Sequence, residues 1–405
     1  MGKENDRAST PGWITLNLNF TIKENLFPPY EQPPYDIEKN LQRFDERETA
    51  FNSVLFQEKV LQGVPWRVKS KETADRKRSK EVPGHRLIEY AFKEASWTSC
   101  ELDNIMSWKE KIPSRQISAD LIQKEQAFRW EASPYENSHH LKKVATFFGA
   151  VAVGITTVKE SWFYSYNKEG LPIVFSSEHD KPLITAEANI IPSSMNRVIV
   201  ILVPQDMELM AFAPSQLAGA ATGLGYSRMA EVASKTVTFI RKLGYSAIPM
   251  GNDTCLSVPL AIDAGLGELG RHGMLINPYF GSMVRICKII TDFPIIIDKP
   301  ISFGAAEYCS NCTICAKSCP SRAISFNRET AWESVCPSCS SGVKKWYVSG
   351  WDCLKYWVYS GTSCGLCQVV CPFNKQAGTE KFQIRPNLKC NDPEKWWNTN
   401  TITPN

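Results

Sequence analysis

The sequence predicts an α+β chain in which an α/β sandwich is followed by a cysteine-rich domain. Strand and helix patterns alternate from about residue 196 onwards, as in proteins that pack helices on a sheet. Near the C-terminus, cysteines recur with the C-x-x-C-x-x-C-x-x-x-C-P spacing of bacterial 4Fe-4S ferredoxins, and a related run follows. The last domain is therefore predicted to be ferredoxin-like, with two clusters. With 405 residues, the chain is long enough for two or three domains.

Residues 1–134 are predicted to form an N-terminal region of helices and extended segments. Prolines and aromatic residues dominate the first 40 positions, so we expect an extended arm that lies over another domain. Apolar spacing predicts one or two amphipathic helices over residues 36–60 and further helices between residues 89 and 130. Acidic residues interrupt the basic stretch 67–86, which favours a solvated helix or loop over a polyanion-binding patch.

Residues 135–300 are predicted to form the sandwich domain, and the polar, turn-rich segment of about 164–190 is predicted to be an insertion. The remaining pattern predicts a helix over 139–148, a strand over 150–158, a strand over 198–203, a long helix over 213–243, a strand over 247–250, a helix over 256–264, and strands around 274–276 and 284–291.

The cysteine-rich domain is predicted over residues 301–376 and is followed by a tail, 377–405. Its two runs, CSNCTICAKSCP and CGLCQVVCP, both end in Cys-Pro. In two-cluster ferredoxins the fourth cysteine of each run binds the other cluster. This rule predicts one 4Fe-4S cluster on Cys309, Cys312, Cys315 and Cys371, and a second on Cys319, Cys353, Cys364 and Cys367.

Within this assignment Cys353 has competitors, because Cys336 and Cys339 form another C-x-x-C pair. That pair lacks a closing Cys-Pro, so we expect it to remain unligated. Zinc sites and disulfides use C-x-x-C pairs as well, but neither explains a Cys-Pro ending that occurs twice. Of 14 cysteines, eight are assigned, which indicates a protein that matures where thiols stay reduced.

Gly265, Gly267 and Gly270 match the G-x-G-x-x-G pattern of dinucleotide-binding folds. In those folds the pattern follows a strand and opens a helix, whereas here it follows a predicted helix and leads towards a strand. We therefore expect these residues, with Gly273, to form a cofactor-binding surface where a large planar group can approach the backbone.

Two segments before the cysteine runs are GLGYSRMAEVASKTVTFIRKLGYSAIP and AIDAGLGELGRHGMLINPYFGSMVRICKIITDFPI. Together with the runs, they resemble the corrinoid-dependent reductive dehalogenases of organohalide-respiring bacteria, and the resemblance covers about residues 135–375. It implies a nitroreductase-like fold that holds a base-off cobamide beside the two 4Fe-4S clusters. The chain has no D-x-H-x-x-G run that would offer a histidine to cobalt, which is consistent with the base-off state.

The resemblance also implies a reaction. Electrons from an external donor would pass through the clusters to cobalt, and cobalt(I) would break a carbon–halogen bond. Tyr226 would then donate a proton, Asn252 would hydrogen-bond the phenol or a halide, and Arg285 would stabilise the phenolate. Trp346 matches a pocket-wall tryptophan, and Trp97 is another candidate for that wall.

A small chlorinated aliphatic is the expected substrate, either an alkane such as chloroform or trichloroethane, or a chloroethene. Gly225 stands where some relatives have a cysteine, so the pocket shape does not carry over. The family is normally exported by a twin-arginine signal and held at the outer face of the cytoplasmic membrane by a small anchor protein. The first residues contain neither an Arg-Arg pair nor an apolar segment, so the chain as given is expected in the cytoplasm or as a processed form.

Other partners follow from composition and from the resemblance. The formal net charge of +4 is mild, so we expect no nucleic-acid partner. The sequence contains no run of 18 apolar residues, so we expect no transmembrane helix. A homodimer is compatible with the resemblance. Two alternative functions are an epoxyqueuosine reductase, which would use an acidic proton donor in place of Tyr226, and a non-catalytic carrier of electrons or corrinoid.

Overall fold

The computed structural model describes residues 29–102, 105–108 and 129–374. The helices are α1 (Val54–Leu61), α2 (Trp66–Ser79), α3 (Leu87–Glu101), α4 (Pro134–Phe147), α5 (Met207–Met210), α6 (Gln216–Lys242), α7 (Ser257–Asp263), α8 (Ala305–Asn311), α9 (Ile314–Lys317), α10 (Gly350–Ser360) and α11 (Leu366–Val369). The strands are β1 (Ala152–Thr157), β2 (Ile173–Ser176), β3 (Leu183–Ile184), β4 (Asn189–Pro192), β5 (Arg197–Pro204), β6 (Ala247–Met250), β7 (Glu268–Leu269), β8 (Leu275–Ile276) and β9 (Val284–Thr291).

The sandwich is built on a four-stranded antiparallel sheet with the order β1-β5-β9-β6. β5 lies inside this sheet, and its side chains alternate between two cores because successive residues of a strand point to opposite faces. Val198, Val200 and Leu202 face one core, and Ile199, Ile201 and Val203 face the other. Both faces are covered, which is why β5 is apolar throughout rather than alternating with polar residues.

Two helices cover one face of the sheet. The 27-residue helix α6 and the shorter α4 pack their apolar sides onto it, and α7 lies against the opposite face. α6 begins where the Ser215 hydroxyl accepts a hydrogen bond from the Ala218 N–H, and α4 begins in the same way at Ser133, followed by Pro134. The predicted long helix and the strands of the main sheet are confirmed within a few residues.

The segment of residues 164–190, which is predicted to be a polar, turn-rich insertion, contains two short strands. It contributes β2 and β3 to a small three-stranded sheet with the order β2-β4-β3, in which β2 and β4 run parallel. The strands are only two to four residues long and partly exposed, so the polar composition hid them.

The N-terminal arm is extended, as predicted, in the part that the structure describes. Pro29 pairs with Ile301, and Ile37 pairs with Val343. The helix expected from residue 36 is wrong before residue 54, because Ile37 and its apolar neighbours pack against the sandwich core from extended backbone. The basic stretch forms the largely solvent-facing helix α2, in line with the solvated-helix interpretation.

Several expectations fall on residues that the structure does not describe. These are the first part of the arm, the helical patterns within residues 109–128, and the tail over residues 377–405. Among the helices that are described, none combines the length and apolar character needed to cross a membrane.

Candidate active site

A close crossing of α3 and α6 positions the first part of the site. Two glycines of α6 make it possible: a Cβ on Gly223 would lie 2.3 Å from Cδ1 of Trp97, and one on Gly219 would lie 3.1 Å from Cδ of Lys93. The Ser227 hydroxyl also donates to the Ser96 carbonyl oxygen at 2.8 Å. The small residues of AGAATGLG therefore mark the place where another helix crosses, a signal that sequence analysis did not use.

Tyr226 lies on α6 at the centre of this crossing. Its ring stacks on Trp97, with ring centroids 5.0 Å apart and planes inclined by 22°. Its hydroxyl oxygen accepts a hydrogen bond from Nδ2 of Asn252 at 2.7 Å. Arg285 belongs to β9, and its Cζ lies 4.8 Å from the centroid of the Tyr226 ring. The structure thus brings together four of the predicted site residues, which come from α3, α6, β9 and the loop after β6.

Gly225 explains how the Arg285 side chain reaches the ring. A Cβ at position 225 would lie 3.0 Å from Cγ of Arg285, which is tighter than ordinary van der Waals contact. Nε of Arg285 and Nε1 of Trp97 are buried, and no hydrogen-bond partner for either lies among the described residues. Because buried polar groups are normally hydrogen-bonded, these two donors have the chemistry to bind a polar group or a halide that enters the site.

Hydrogen bonds from Lys288 hold the loop that carries Asn252. This lysine is 0 % exposed, and its Nζ donates to the carbonyl oxygens of Gly251 and Cys255 and to the hydroxyl of Ser257. Lys288 and Arg285 both belong to β9. One strand therefore positions both the cation beside Tyr226 and the loop that supplies its hydrogen-bond donor.

The cysteines of the last domain form two neighbouring groups. In the first, burial raises the pKa of Cys315 to about 12, and the nearby Cys309 and Cys312 contribute to this rise. Burial likewise raises the pKa of Cys371 to about 12, with further contributions from Cys309, Cys315 and Cys312. Three of these four cysteines are buried, and such a group of neighbouring thiols fits a site in which bound iron would supply the positive charge that compensates their thiolates.

The second group contains Cys353. Burial raises its pKa to about 12, and Cys364 and Cys319 raise it further. The pKa of Cys367 is raised in the same way, by burial first and then by Cys353, Cys364, Cys315 and Cys319. Cys336 and Cys339 instead contact each other, with the two Sγ atoms 3.2 Å apart.

These thiol groups differ from a site for a single metal ion. Among the described residues, no three His, Cys, Asp or Glu side chains lie close enough to bind one ion. A 4Fe-4S cluster does not need that spacing, because each cysteine binds a different iron atom of the cubane.

Arg271 connects the sandwich to the first cysteine group. It is 0 % exposed, and its guanidinium donates to the carbonyl oxygens of Cys309 at 2.6 Å, Cys312 at 2.9 Å, Ser325 at 2.8 Å and Asn327 at 2.6 Å. No carboxylate in the described part of the chain pairs with it. Its positive charge is therefore free to offset the negative charge of cysteine thiolates nearby, and it lowers the pKa of Cys315 against the effect of burial.

Glu268 binds the backbone that leads into the first cysteine run. This buried carboxylate accepts hydrogen bonds from the N–H groups of Phe303, Gly304 and Ala306, the last two at 3.0 Å. These groups belong to the start of α8, the helix that carries Cys309. An anion at the amino end of α8 and a cation at its carboxyl end both complement the helix dipole.

His272 and Trp346 lie beside the first cysteine group. Nδ1 of His272 accepts a hydrogen bond from the Met274 N–H at 3.2 Å, so the proton of the neutral ring is on Nε2, which is buried and without a partner among the described residues. Burial lowers the pKa of His272 to about 4. Trp346 packs against Cys309 and Cys371, and the structure does not place it with the Tyr226 group.

The glycines of GLGELGRHG lie very close to other groups of the protein. A Cβ on Gly265 would lie 2.4 Å from the Lys299 carbonyl oxygen, and one on Gly267 would lie 2.1 Å from that of Ile276. A Cβ on Gly270 would lie 2.6 Å from His272, and one on Gly273 would lie 3.2 Å from Val348. Close approach of the protein's own groups, including its backbone, accounts for these residues, and their contact with a cofactor stays a prediction.

Two family models match this chain, one in the sandwich and one in the cysteine-rich domain. Residues 169–295 match the family model described as reductive dehalogenase subunit, and residues 308–375 match the 4Fe-4S dicluster domain. A tetrachloroethene reductive dehalogenase of Desulfitobacterium hafniense is 38% identical over 282 residues, covering 62% of this chain and 51% of the relative. One from Sulfurospirillum multivorans is 37% identical over 257 residues, covering 60% of this chain and 51% of the relative. The chain thus spans about half the length of the curated relatives it matches.

Solved structures support the same fold. A reductive dehalogenase structure that suggests a mechanism for B12-dependent dehalogenation superposes with a TM-score of 0.64 at 23% identity, covering 88% of this chain and 46% of that one. A catabolic reductive dehalogenase gives a TM-score of 0.63 at 23% identity, covering 87% of this chain and 44% of that one. The α+β architecture with a ferredoxin-like domain is therefore confirmed.

Replacing Arg271 should weaken the first cluster site. Arg271→Leu removes a donor from the carbonyl oxygens of Cys309, Cys312 and Ser325, whereas that of Asn327 keeps Nε1 of Trp346, and each buried acceptor left unpaired costs roughly 1–3 kcal/mol. We expect the anaerobically reconstituted variant to lose about half of its iron, and Arg271→Lys to retain more because it keeps the charge. Iron and sulfide content measure this. Full iron content in Arg271→Leu would contradict the role.

Replacing Cys353 should remove one cluster selectively. Cys353→Ala is expected to lower iron by about half, since each cluster holds four iron atoms. Cys339→Ala is the matched control, because its thiol faces Cys336 rather than the second cysteine group. Iron content and the electron paramagnetic resonance of the reduced protein measure both variants. Equal iron loss in the two would overturn the assignment of Cys353.

Proposed function

We propose that this chain, which contains a reductive dehalogenase domain joined to a 4Fe-4S dicluster domain, removes halide reductively from a small chlorinated aliphatic compound. The observation that carries the proposal is the arrangement around Tyr226. A phenol is held by an amide donor, covered by a cation and stacked on an indole, within the same chain as two groups of four cysteines.

The reductive dehalogenase family uses a corrinoid, and the dicluster domain supports two 4Fe-4S clusters. When bound, the corrinoid supplies the low-valent cobalt that reduces a carbon–halogen bond. The buried donors Trp97 Nε1 and Arg285 Nε fit a site that receives a polar group or a halide. In this proposal the sandwich has the nitroreductase-like fold that the resemblance implies, and the two clusters relay electrons from an external donor.

The protein's own part in the reaction is proton transfer. Tyr226 Oη accepts a hydrogen bond from Asn252, so its O–H remains available to donate a proton to the carbon that has lost halide. Arg285 lies over the ring and stabilises the phenolate that remains. Asn252 holds the hydroxyl oxygen in place. Trp97 provides an apolar wall that favours a small halocarbon and excludes water.

The substrate class rests on the relatives. Those named above act, by name, on tetrachloroethene, and another is a trichloroethene reductive dehalogenase of Dehalococcoides mccartyi. A chlorinated alkane or chloroethene is compatible with the apolar Trp97 wall. The membrane-anchor protein, export to the outer face of the membrane and a homodimer stay predictions.

Chloride release tests the proposal directly. The cluster-loaded chain would be incubated anaerobically with cobamide, reduced methyl viologen, and chloroform, trichloroethane or tetrachloroethene, and free chloride would be measured. Bound cobamide without chloride from any compound would favour the carrier. Activity on epoxyqueuosine in transfer RNA instead of on halocarbons would favour the epoxyqueuosine reductase.

Tyr226→Phe removes the proposed proton donor and keeps the ring. We expect chloride release to fall by roughly 10²–10⁴-fold, the usual contribution of a positioned general acid. Visible absorption should show unchanged clusters and bound cobamide. Tyr135→Phe, at a tyrosine that is 72% exposed on α4, is the control and should keep full activity. A fully active Tyr226→Phe variant would show that the proton comes from another group.

Arg285→Gln tests the charge over the ring. This variant keeps a polar side chain but loses the cation, so chloride release should fall by at least about tenfold, the rate equivalent of 1.36 kcal/mol. Arg285→Lys should recover part of the loss because an ammonium restores the charge. If Arg285→Lys and Arg285→Gln were equally slow, the fork geometry of the guanidinium rather than its charge would be the feature required.

A further inference from the structure

We propose that Cys336 and Cys339 form a redox-active dithiol that exchanges with the disulfides of small thiol compounds, independently of the iron–sulfur sites. The pair lies in the turn Cys336-Pro337-Ser338-Cys339, where the Cys339 N–H donates to the Cys336 carbonyl oxygen at 3.1 Å. The two Sγ atoms are 3.2 Å apart, so a small rotation of the side chains is enough to bring them to bonding distance.

The surroundings of Cys336 suit a nucleophile. Its thiol is partly exposed and lies at the amino end of α10, beside the backbone N–H groups of Gly350 and Trp351. The Cys339 hydrogen bond, followed by these N–H groups and that of Ser338, lowers the pKa of Cys336 to about 5. Helix amino ends and C-x-x-C motifs are the settings in which reactive cysteines occur.

Cys339 suits the second step. Its Sγ donates to the Val348 carbonyl oxygen at 3.2 Å and faces Cys336. Its pKa is raised, first by the hydrogen bond with Cys336 and then by burial. One thiol of the pair is thus prepared to attack an incoming disulfide, and the other is held beside it as the resolving thiol.

The reaction balances in two steps. The Cys336 thiolate attacks one sulfur of an oxidised small thiol such as glutathione disulfide, which forms a mixed disulfide and releases one thiolate. Cys339 then loses its proton and attacks Sγ of Cys336, which forms the Cys336–Cys339 disulfide and releases the second thiolate. Two electrons pass from the protein thiols to the small disulfide, and the released thiolates become two thiols on protonation.

The position of the dithiol connects it to the second cysteine group. α10 begins at Gly350 and carries Cys353 one turn later, and Val348 packs against the same apolar cluster as Cys319 and Cys367. Oxidation removes the thiolate from the amino end of α10 and the Cys339 hydrogen bond to Val348. The dithiol therefore lies beside the backbone that leads to a predicted cluster ligand, and it includes none of the eight predicted ligands.

Thiol mapping tests the proposal on the cluster-loaded chain. The protein would be equilibrated anaerobically with mixtures of reduced and oxidised glutathione, quenched in acid and differentially alkylated, and its peptides would be analysed by mass spectrometry. We expect a Cys336–Cys339 disulfide to form while iron content stays unchanged. Cys100 is the control thiol, because burial raises its pKa and its Sγ donates to the Trp97 carbonyl oxygen at 3.1 Å.

Single variants separate the two roles. Cys339→Ser should stop the reaction at a glutathione adduct on Cys336, and Cys336→Ser should slow modification of position 339 at least tenfold. The proposal is wrong if Cys336 and Cys339 stay reduced at glutathione ratios that modify Cys100. It is also wrong if the purified chain contains one zinc ion that Cys336→Ser removes. Neither result depends on whether the chain releases halide.

Discussion

The hydrogen bonds of Arg271 are the interaction on which the arrangement of this protein depends. A buried guanidinium of the sandwich domain binds carbonyl oxygens within the first cysteine run, at Cys309 and Cys312, and after it, at Ser325 and Asn327. Burial of a cation is costly unless its donors are satisfied, and here these four acceptors, with the Ser310 carbonyl oxygen at 3.4 Å as a fifth, satisfy them. Because Arg271 joins one domain to the cysteine loop of the other, it fixes the first cluster site relative to the sandwich.

The strand β9 has a comparable role around Tyr226, because it positions the residues beside that ring. It pairs with β5 and β6 in the middle of the sheet, where register is set by two buried faces. Arg285 and Lys288 project from this strand, one over the Tyr226 ring and the other into the loop of Asn252. A slip of one residue would turn both side chains to the opposite face. The stability of the sheet and the geometry around the phenol thus depend on the same pairing.

The GLGELGRHG segment shows that the role of a local sequence pattern depends on the groups that it packs against. Its glycines allow close packing, because Gly265 and Gly267 lie against carbonyl oxygens of the protein itself. Between and after them stand Glu268 and Arg271, whose charges hold the two ends of α8. The pattern therefore serves to bring two buried charges to the cysteine loop. The dithiol of Cys336 and Cys339 has a related origin, since a helix that starts fourteen residues after Cys336 supplies the N–H groups beside its thiol.

Local properties of the sequence determined a large part of this protein. The buried strands, the long helix α6 and the two cysteine runs follow from residue type and spacing, because side-chain periodicity and ligand spacing act over a few residues. Tertiary structure alone decided the rest. It placed Trp97 on Tyr226 through the crossing of α3 and α6, separated Trp346 from that group, and gave Arg271 its acceptors. These contacts join residues far apart in the chain, and they depend on how packed elements meet in space, which no short stretch of sequence specifies.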